Sequence, residues 1–497
     1  MQDWLSARAQ ATPHKTAFIF HSSKDDVDPI SFLFGQLNKS VQRRVNGWRA
    51  AGIKAGDHIA VLGTNSPGFI INVFASLRAG CVLVPLNSRL TVEEMHQQIT
   101  QSDCKWLLPL PGAYTDSKKA LAEMGVSIPY FGHMTDDSGK VEQLDLDAPA
   151  LIVHTSGTSG MPKGAMLTAG NIFYSALASS YRLGVLPDDK WLCTLPLYHV
   201  GGLSIILRSC LYGITVDLHE RFDLETVNTA LSEDDITLVS LVPTMLYRLL
   251  EQGTPEKWTA LRCVLLGGAA ATVELLEKCA EYGVKVAPTY GLSEAASQVA
   301  TALPENAAAK PGTVGHSLMF TQLQIVNDYA KPLPAGEYGE VIVTGPTIMQ
   351  GYYNNPDATA QTLRDYDGQL WLHTGDIGYM DEDGDLFLVQ RRSDLIVTGG
   401  ENVYPAEVEK VLRSHPAVRE VAVVGISDAE WGQQVAAAVE LTSGQALSAD
   451  DLITYSREHL AGYKQPRKIL FVDALPQTSS GKIQRRAVLD LFEGSDD

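Results

Sequence analysis

A chain of 497 residues is longer than one hydrophobic core organises, so two or more domains are predicted. Hydrophobic content of 45% and charged content of 20% are ordinary for a globular protein. Against 58 acidic residues stand only 39 basic ones, and the net charge of −19 argues against nucleic acid as a partner, though not against a small anion in a local pocket.

The start, MQDWLSARAQATPHKTAF, has no apolar core of signal-peptide length. No later run reaches the roughly 18–20 apolar residues of a membrane-crossing helix. A cytoplasmic protein without membrane insertion is the expectation. Cys81, Cys104, Cys193, Cys210, Cys263 and Cys279 are scattered with no CxxC spacing, which reads as reduced, mostly buried thiols.

Buried strands are expected at HIAVLGTN (58–65), CVLVPLN (81–87), ALIVHTS (150–156) and RCVLLGGA (262–269). Helical patterns such as GFIINVFASLRAG and TVEEMHQQIT lie between them. Strands alternating with helices predict an α/β fold of parallel sheets covered on both faces. After about residue 335 the pattern changes. GEYGEVIVTGPTIMQGYY and IGYMDEDGDLFLVQRR read as antiparallel β, the second folded about its DEDG turn. Pro405 then fits the first position of a helix whose Val408, Val411 and Leu412 share a face. The expected division is a large domain over 1–393, ending in a β-rich subdomain, and a small α+β domain over 394–497.

Four stretches carry candidate chemistry. HTSGTSGMPKGAM (154–166) follows an apolar strand with glycines, hydroxyls and the single cation Lys163. Inward-turned backbone N–H groups in such a loop cradle phosphate oxygens. It is not a Walker A loop, because Lys163 is followed by Gly164 rather than Ser or Thr. A plain Gly/Ser surface loop is the alternative. In PTYGLSEAASQ, Tyr290, Gly291, Ser293 and Glu294 suit a base and a metal ion beside phosphate, and a helix start capped by Ser293 explains them equally well. Asp376 in WLHTGDIG can accept both hydroxyls of a ribose, with Arg391 about fifteen residues on; a turn aspartate and a surface arginine are the alternatives. Lys482 stands in the terminal PQTSSGKIQRR, where a solvated lysine is unremarkable on its own.

Taken together, TSGTSGMPKG, LPLYHVGG, YGLSE, TGD, RRSDLIVTGGENVYPAEVE and the late GK occur in the order and approximate spacing of the adenylate-forming superfamily, and the resemblance runs from about residue 4 to residue 487. Within it, LPLYHVGGLSIILRSCLYGITVDLHERFD and YGLSEAASQV are most similar to the o-succinylbenzoate–CoA ligases of menaquinone biosynthesis. The resemblance implies a two-step reaction: a carboxylate attacks the α-phosphorus of ATP, and the thiol of coenzyme A then displaces AMP. ATP, Mg²⁺ and coenzyme A are therefore the expected cofactor and co-substrates. A small carboxylic acid is the expected partner, and homo-oligomerisation stays open.

By the same resemblance, Thr155, Ser156, Gly157, Thr158, Ser159, Gly160 and Lys163 form the pyrophosphate-side loop, with Thr158 and Glu294 near the metal. Gly268, Ala269, Ala270 and Tyr290 wall the adenine, and Asp376 and Arg391 grip the ribose. Lys482 bridges the reacting carboxylate and phosphate, Asp394 is the hinge of the small domain, and His199 gates thioester formation. Gly399, Gly400, Glu401 and Asn402 line the coenzyme A tunnel. Two departures stand out: Met161 where relatives carry a second cation, and Val397 where lysine is usual.

Arg208 is the single charge in the apolar run VGGLSIILRSCLYG. A buried guanidinium needs an anionic partner. That partner is either the carboxylate of a diacid that is not activated, or an internal salt bridge or carbonyl cap. Gln298 is expected to help hold such a substrate. A ligase for another aryl or medium-chain acid and a non-catalytic nucleotide-binding paralogue remain as alternatives.

Overall fold

The computed structural model describes residues 1–23, 27–110, 115–128, 143–155, 162–366, 368–390, 395–476 and 483–493. The chain forms two compact units. One comprises Met1–Ser88, Gln98–Val153 and Gly164–Gln390; the other comprises Arg89–Gln97, His154–Lys163 and Arg391–Asp497.

The expected apolar runs become strands His58–Leu62, Val82–Leu86 and Cys263–Leu266 of the first unit, and Pro149–Thr155, which begins in it. Between the first two, helix Pro67–Ala79 starts where the Ser66 side chain accepts from the Phe69 N–H and Pro67 opens the first turn. A six-stranded sheet pairs Val82–Leu86, His58–Leu62 and Trp106–Pro109 in parallel. A second sheet, of fourteen strands among the described residues, has a parallel centre built from Lys190–Cys193, Leu238–Leu241, Cys263–Leu266 and Val286–Leu292.

Strand direction reverses after Leu292. Only the short 3₁₀ turn Ser293–Ala295 and Ala296 separate it from strand Ser297–Thr301, which pairs antiparallel with it. A parallel crossover needs a dozen or more residues, so a connection this short must fold back. From there onward the sheet is antiparallel, including Gln369–Met380 with Leu386–Gln390 about the DEDG turn. Glu294 sits on this reversal, at the kind of topological break where open α/β sheets hold ligands.

The second unit is α+β. Strands Val418–Asp428 and Gly432–Leu441 are the core of a five-stranded sheet that also takes in Ile396–Thr398, Glu401–Val403 and Lys468–Phe471. Period-two alternation sorts its side chains. Val421 and Val423 pack with Val408 and Leu412 of helix Pro405–Arg413. Ala422 and Val424 pack with Val488 and Phe492 of helix Arg485–Glu493. Each fully buried valine, leucine or phenylalanine among them contributes about 1.5–3 kcal/mol relative to exposure. Pro405 opens its helix as the sequence predicts.

No described helix is long and apolar enough to cross a membrane. All six cysteines are free thiols, and burial pushes the Cys81, Cys263 and Cys279 thiols up to about 12, which leaves them unreactive.

Candidate active site

Tyr290 ends the parallel core of the large sheet, and the chain must turn back at once. A Cβ on Gly291 would lie 1.9 Å from the Ser297 carbonyl oxygen, so only glycine lets the returning strand approach this closely. Ala296 and Ser297 take φ of 51° and 99° to complete the turn. Strain of this kind in non-glycine residues is kept where surrounding contacts fix it. Ser293 is the first residue of the 3₁₀ turn rather than its cap, and no α-helix begins there. The capped-helix alternative for YGLSE is thereby removed, because strand pairing has claimed that backbone.

Glu294 is half-buried and held from two sides. Its Oε1 accepts from the Tyr352 hydroxyl at 2.8 Å, and its carbonyl accepts from the Met349 N–H at 2.8 Å. Asp376 is brought to Tyr290 from 86 residues away: the Tyr290 hydroxyl donates to Asp376 Oδ2 at 2.5 Å. The Tyr290 ring is only 1% exposed, so a base stacked on it needs the ring uncovered first. Gly268, Ala269 and Ala270 form the bend that leaves strand Cys263–Leu266.

The Thr-Gly-Asp turn is built rather than merely tolerated. Gly375 takes φ of +72°, a conformation side-chain-bearing residues avoid. The Thr374 hydroxyl donates to the Val341 carbonyl at 2.6 Å, and the Asp376 N–H returns to the Thr374 oxygen at 3.1 Å. Glu340 Oε1 accepts from the Gly375 N–H at 2.9 Å, and its Oε2 lies 2.8 Å from His373 Nδ1. His373 Nε2 meets the Tyr366 hydroxyl at 2.8 Å. Carboxylate, imidazole and phenol thus fix the backbone that aims Asp376.

His199 and Arg208 share helix Val200–Tyr212. His199 is its N-cap, half-buried, with its ring edge-on to Tyr198 at 4.7 Å. Arg208 is 2% exposed, and burial pulls its pKa below the usual guanidinium range. One nitrogen donates to the Ser175 hydroxyl oxygen at 3.1 Å, and Ser175 donates onward to the Ala296 carbonyl at 2.7 Å. Its Nε has no hydrogen-bond partner, and no carboxylate pairs with it among the described residues. Arg208 lines a cavity with Val200, Leu203, Leu207, Ser175 and Ala296, all of the same unit. The internal salt bridge expected as the alternative is absent among those residues. Gln298 is engaged elsewhere: its amide nitrogen reaches Thr301 Oγ1 at 3.0 Å and Thr289 Oγ1 at 3.4 Å, which leaves Oε1 buried without a partner.

Other expected residues belong to the second unit. Thr155 ends its strand, and its hydroxyl approaches the Lys163 carbonyl at 3.5 Å; Lys163 opens the next strand. Gly399 and Gly400 form the turn of a hairpin that pairs Ile396–Thr398 with Glu401–Val403, and Gly399 N–H donates to the Trp431 carbonyl at 2.9 Å. Val397 N–H donates to Gln433 Oε1 at 2.9 Å in the same hairpin. Ser156, Gly157, Thr158, Ser159, Gly160, Met161, Arg391, Asp394 and Lys482 lie outside the described residues.

Tyr352, Glu340, His373 and Ser175 are the residues sequence reading missed. Tyr352 and His373 sat inside quoted segments, next to Gly351 and the Thr-Gly-Asp turn, but a lone tyrosine or histidine carries no spacing signal. Glu340 and Ser175 gave none.

The AMP-binding enzyme family model matches residues 5–353, and that of the AMP-binding enzyme C-terminal domain matches residues 407–482. The chain is 38% identical over 496 residues to a 2-succinylbenzoate–CoA ligase of Bacillus cereus (strain Q1), covering 99% of each. It superposes with a TM-score of 0.90 on an o-succinylbenzoate CoA synthetase double mutant of Bacillus subtilis bound with its product analogue, at 37% identity over 99% of this chain and 98% of that one. Against the same Bacillus subtilis enzyme in complex with ATP and magnesium ion the TM-score is 0.72, at 36% identity over 98% of this chain and 99% of that one. Two family models matched in order along one chain, with likeness to these relatives over its whole length, show that this protein belongs to the AMP-binding enzyme family.

Proposed function

We infer that the chain is an ATP-dependent, AMP-forming acid–CoA ligase that converts 2-succinylbenzoate, through its acyl-adenylate, to 2-succinylbenzoyl-CoA, AMP and pyrophosphate, a step of menaquinone biosynthesis. The first half-reaction brings two anions together and expels a third, so its barrier is mainly electrostatic. Asp376 accepts from the ribose hydroxyls and positions the α-phosphorus for attack. Glu294 offers a hard carboxylate oxygen, held by Tyr352, of the kind Mg²⁺ prefers, and the ion supplies charge neutralisation at the phosphates. Lys163 and Lys482 supply the cationic side chains, His199 gates the thiol, and the Gly399–Asn402 turn faces coenzyme A. The hinge at Asp394 and the roles of Arg391 and the 156–160 loop enter the proposal through the family resemblance.

The observation that carries the substrate is Arg208. A guanidinium this buried, without a carboxylate partner among the described residues, is costly unless a ligand completes it. A diacid with one carboxylate to activate and one to spare supplies that partner, and the cavity that Arg208 lines is otherwise mostly apolar. The test is coenzyme A-dependent AMP release with 2-succinylbenzoate, benzoate and octanoate. Preference for the diacid supports the reading. Equal or better turnover of a monoacid makes the enzyme a ligase for another aryl or medium-chain acid, and no pyrophosphate release with any acid makes it a non-catalytic nucleotide binder.

A further inference from the structure

Away from these residues, two adjacent strands end on three side chains of metal-ligand type. Strand Thr16–His21 runs parallel to Thr215–His219, with Ile19 opposite Asp217 and His21 opposite His219. Residues two apart on a strand share a face, which puts Asp217, His219 and His21 on one side of this ribbon. His219 Nε2 lies 3.0 Å from Asp217 Oδ1, and His21 Nε2 lies 3.2 Å from the same oxygen. One ligand atom from each residue falls within 4.8 Å of the others.

His219 Nε2 and Asp217 Oδ1 form one histidine–aspartate hydrogen bond, and two further details mark the cluster. His21 Nε2 is buried and lies 3.2 Å from Asp217 Oδ1 without the alignment of a well-formed hydrogen bond. Asp217 is 1% exposed, and no lysine or arginine pairs with it among the described residues. A buried carboxylate needs a counter-charge, and only the imidazoles of His21 and His219 face this one among the described residues. A nitrogen that converges on a carboxylate without donating to it has the geometry of a second ligand to a shared cation.

We propose that His21, Asp217 and His219 form a binding site for a borderline divalent cation of the Zn²⁺ type, distinct from the magnesium that accompanies ATP. Two imidazoles and one carboxylate suit Zn²⁺, whereas Mg²⁺ prefers oxygen ligands alone. Tetrahedral Zn²⁺ with bonds of about 2.0–2.1 Å holds its ligand atoms roughly 3.3 Å apart; the two nitrogen–oxygen edges here are 3.0 and 3.2 Å, and the nitrogen–nitrogen edge is within 4.8 Å. Three protein ligands leave the fourth position of such a site to water. The site's role is to clip two strands and brace what rests on them. Asn65 Nδ2 donates to the His219 carbonyl and to the Leu195 carbonyl, each at 3.0 Å, and Asn65 Oδ1 accepts from the Leu197 N–H at 2.8 Å. The clipped strand end is thereby tied to the segment that leads into His199.

The test uses the full chain without an affinity tag, stripped with chelator and titrated with Co²⁺ and Zn²⁺ in the absence of nucleotide. The expected result is one equivalent of Co²⁺ with the visible bands of a four-coordinate site, displaced by Zn²⁺ and untouched by excess Mg²⁺. Zn²⁺ should raise the Tm by several degrees. His21→Ala, whose half-exposed position favours a folded variant, should bind at least about tenfold more weakly. His219→Gln should lose the bands altogether. Absence of a stoichiometric Co²⁺ spectrum in the unmutated chain, or wild-type affinity in His21→Ala, overturns the proposal.

Discussion

The Tyr290 hydroxyl donates to Asp376 Oδ2 at 2.5 Å, joining the end of the parallel core to the Thr-Gly-Asp turn across 86 residues of sequence. This bond orients the carboxylate proposed to hold the ribose. Hydrogen bonds to charged groups contribute about 1.5–3 kcal/mol. Tyr290→Phe should therefore raise the KM for ATP by about tenfold or more while leaving the KM for the acid nearly unchanged. Asp376→Ala should be more severe, with adenylation itself depressed. Initial rates with ATP varied at saturating acid check both, and an unchanged KM for ATP in Tyr290→Phe rules out the positioning role.

Arg208 gives a prediction about selectivity. Arg208→Ala should weaken use of 2-succinylbenzoate by on the order of 2–5 kcal/mol, the range for losing one partner of a desolvated charge pair. Monocarboxylic acids should lose much less, since they have no second carboxylate. Arg208→Lys should recover only part of the loss, because a point charge cannot reproduce the planar fork. Equal losses on diacid and monoacid would return the arginine to a purely structural role through Ser175 and Ala296.

Tyr352 fixes Glu294 through a single hydroxyl at 2.8 Å. Tyr352→Phe keeps the ring and removes only that donor. The Mg²⁺ concentration for half-maximal rate should then rise several-fold, with less change at saturating Mg²⁺. A change in maximal rate with no shift in Mg²⁺ dependence would show that Glu294 does not depend on this contact.

Asp189 bears on stability rather than chemistry. Its carboxylate accepts from Arg262 at 2.8 and 2.6 Å, from the Thr237 hydroxyl at 2.7 Å and from the Leu186 N–H at 2.8 Å. Burial pushes this carboxyl up, but Arg262 and the other donors outweigh it and hold it below the usual aspartate range. A depressed folded-state pKa means its stabilisation is complete above the unfolded value near 4 and disappears as pH falls through the folded one. Asp189→Asn should cost about 3 kcal/mol at neutral pH, the lower end for breaking a buried pair. The difference from wild type should shrink below about pH 4. Urea unfolding at pH 7 and pH 3.5 measures both, and a pH-independent difference would exclude the ionic origin.

What sequence could and could not say divides by range. Apolar runs such as His58–Leu62 and the Pro405 helix start are local, and local pattern found them. Tyr290, Glu294 and Asp376 could be singled out as candidates because glycine turns flag them. Their supports were not. Glu340 reaches His373 only through the register of Gly339–Thr344 against Gln369–Met380, irregular between Glu340 and Ile342. No spacing in the chain encodes that register. Ser293 was misleading for a related reason: it has the residue type of a helix cap, but strand pairing on both sides had already fixed its backbone.

Lys482 separates the two half-reactions. It follows Ser479, Ser480 and Gly481 and precedes helix Arg485–Glu493, and the match to the C-terminal family model ends on it. In the proposed mechanism its ammonium stabilises charge that develops as carboxylate meets α-phosphate, an interaction made mainly in the transition state of adenylation. The thiol step begins from a neutral acyl group already joined to phosphate and needs no such cation. Lys482→Ala should therefore slow adenylation by about 10²-fold or more, roughly 2.7 kcal/mol. Thioester formation from supplied acyl-adenylate should stay within about tenfold of wild type, some 1.4 kcal/mol. Arg485, three residues on, pairs with Glu409 and donates to the Val423 carbonyl at 2.8 Å within the same unit, so Arg485→Ala should lower stability without this kinetic split. Rapid-quench measurement of each half-reaction in the two variants decides between a catalytic and a structural lysine. Equal slowing of both steps in Lys482→Ala would leave the cation without a role specific to adenylation.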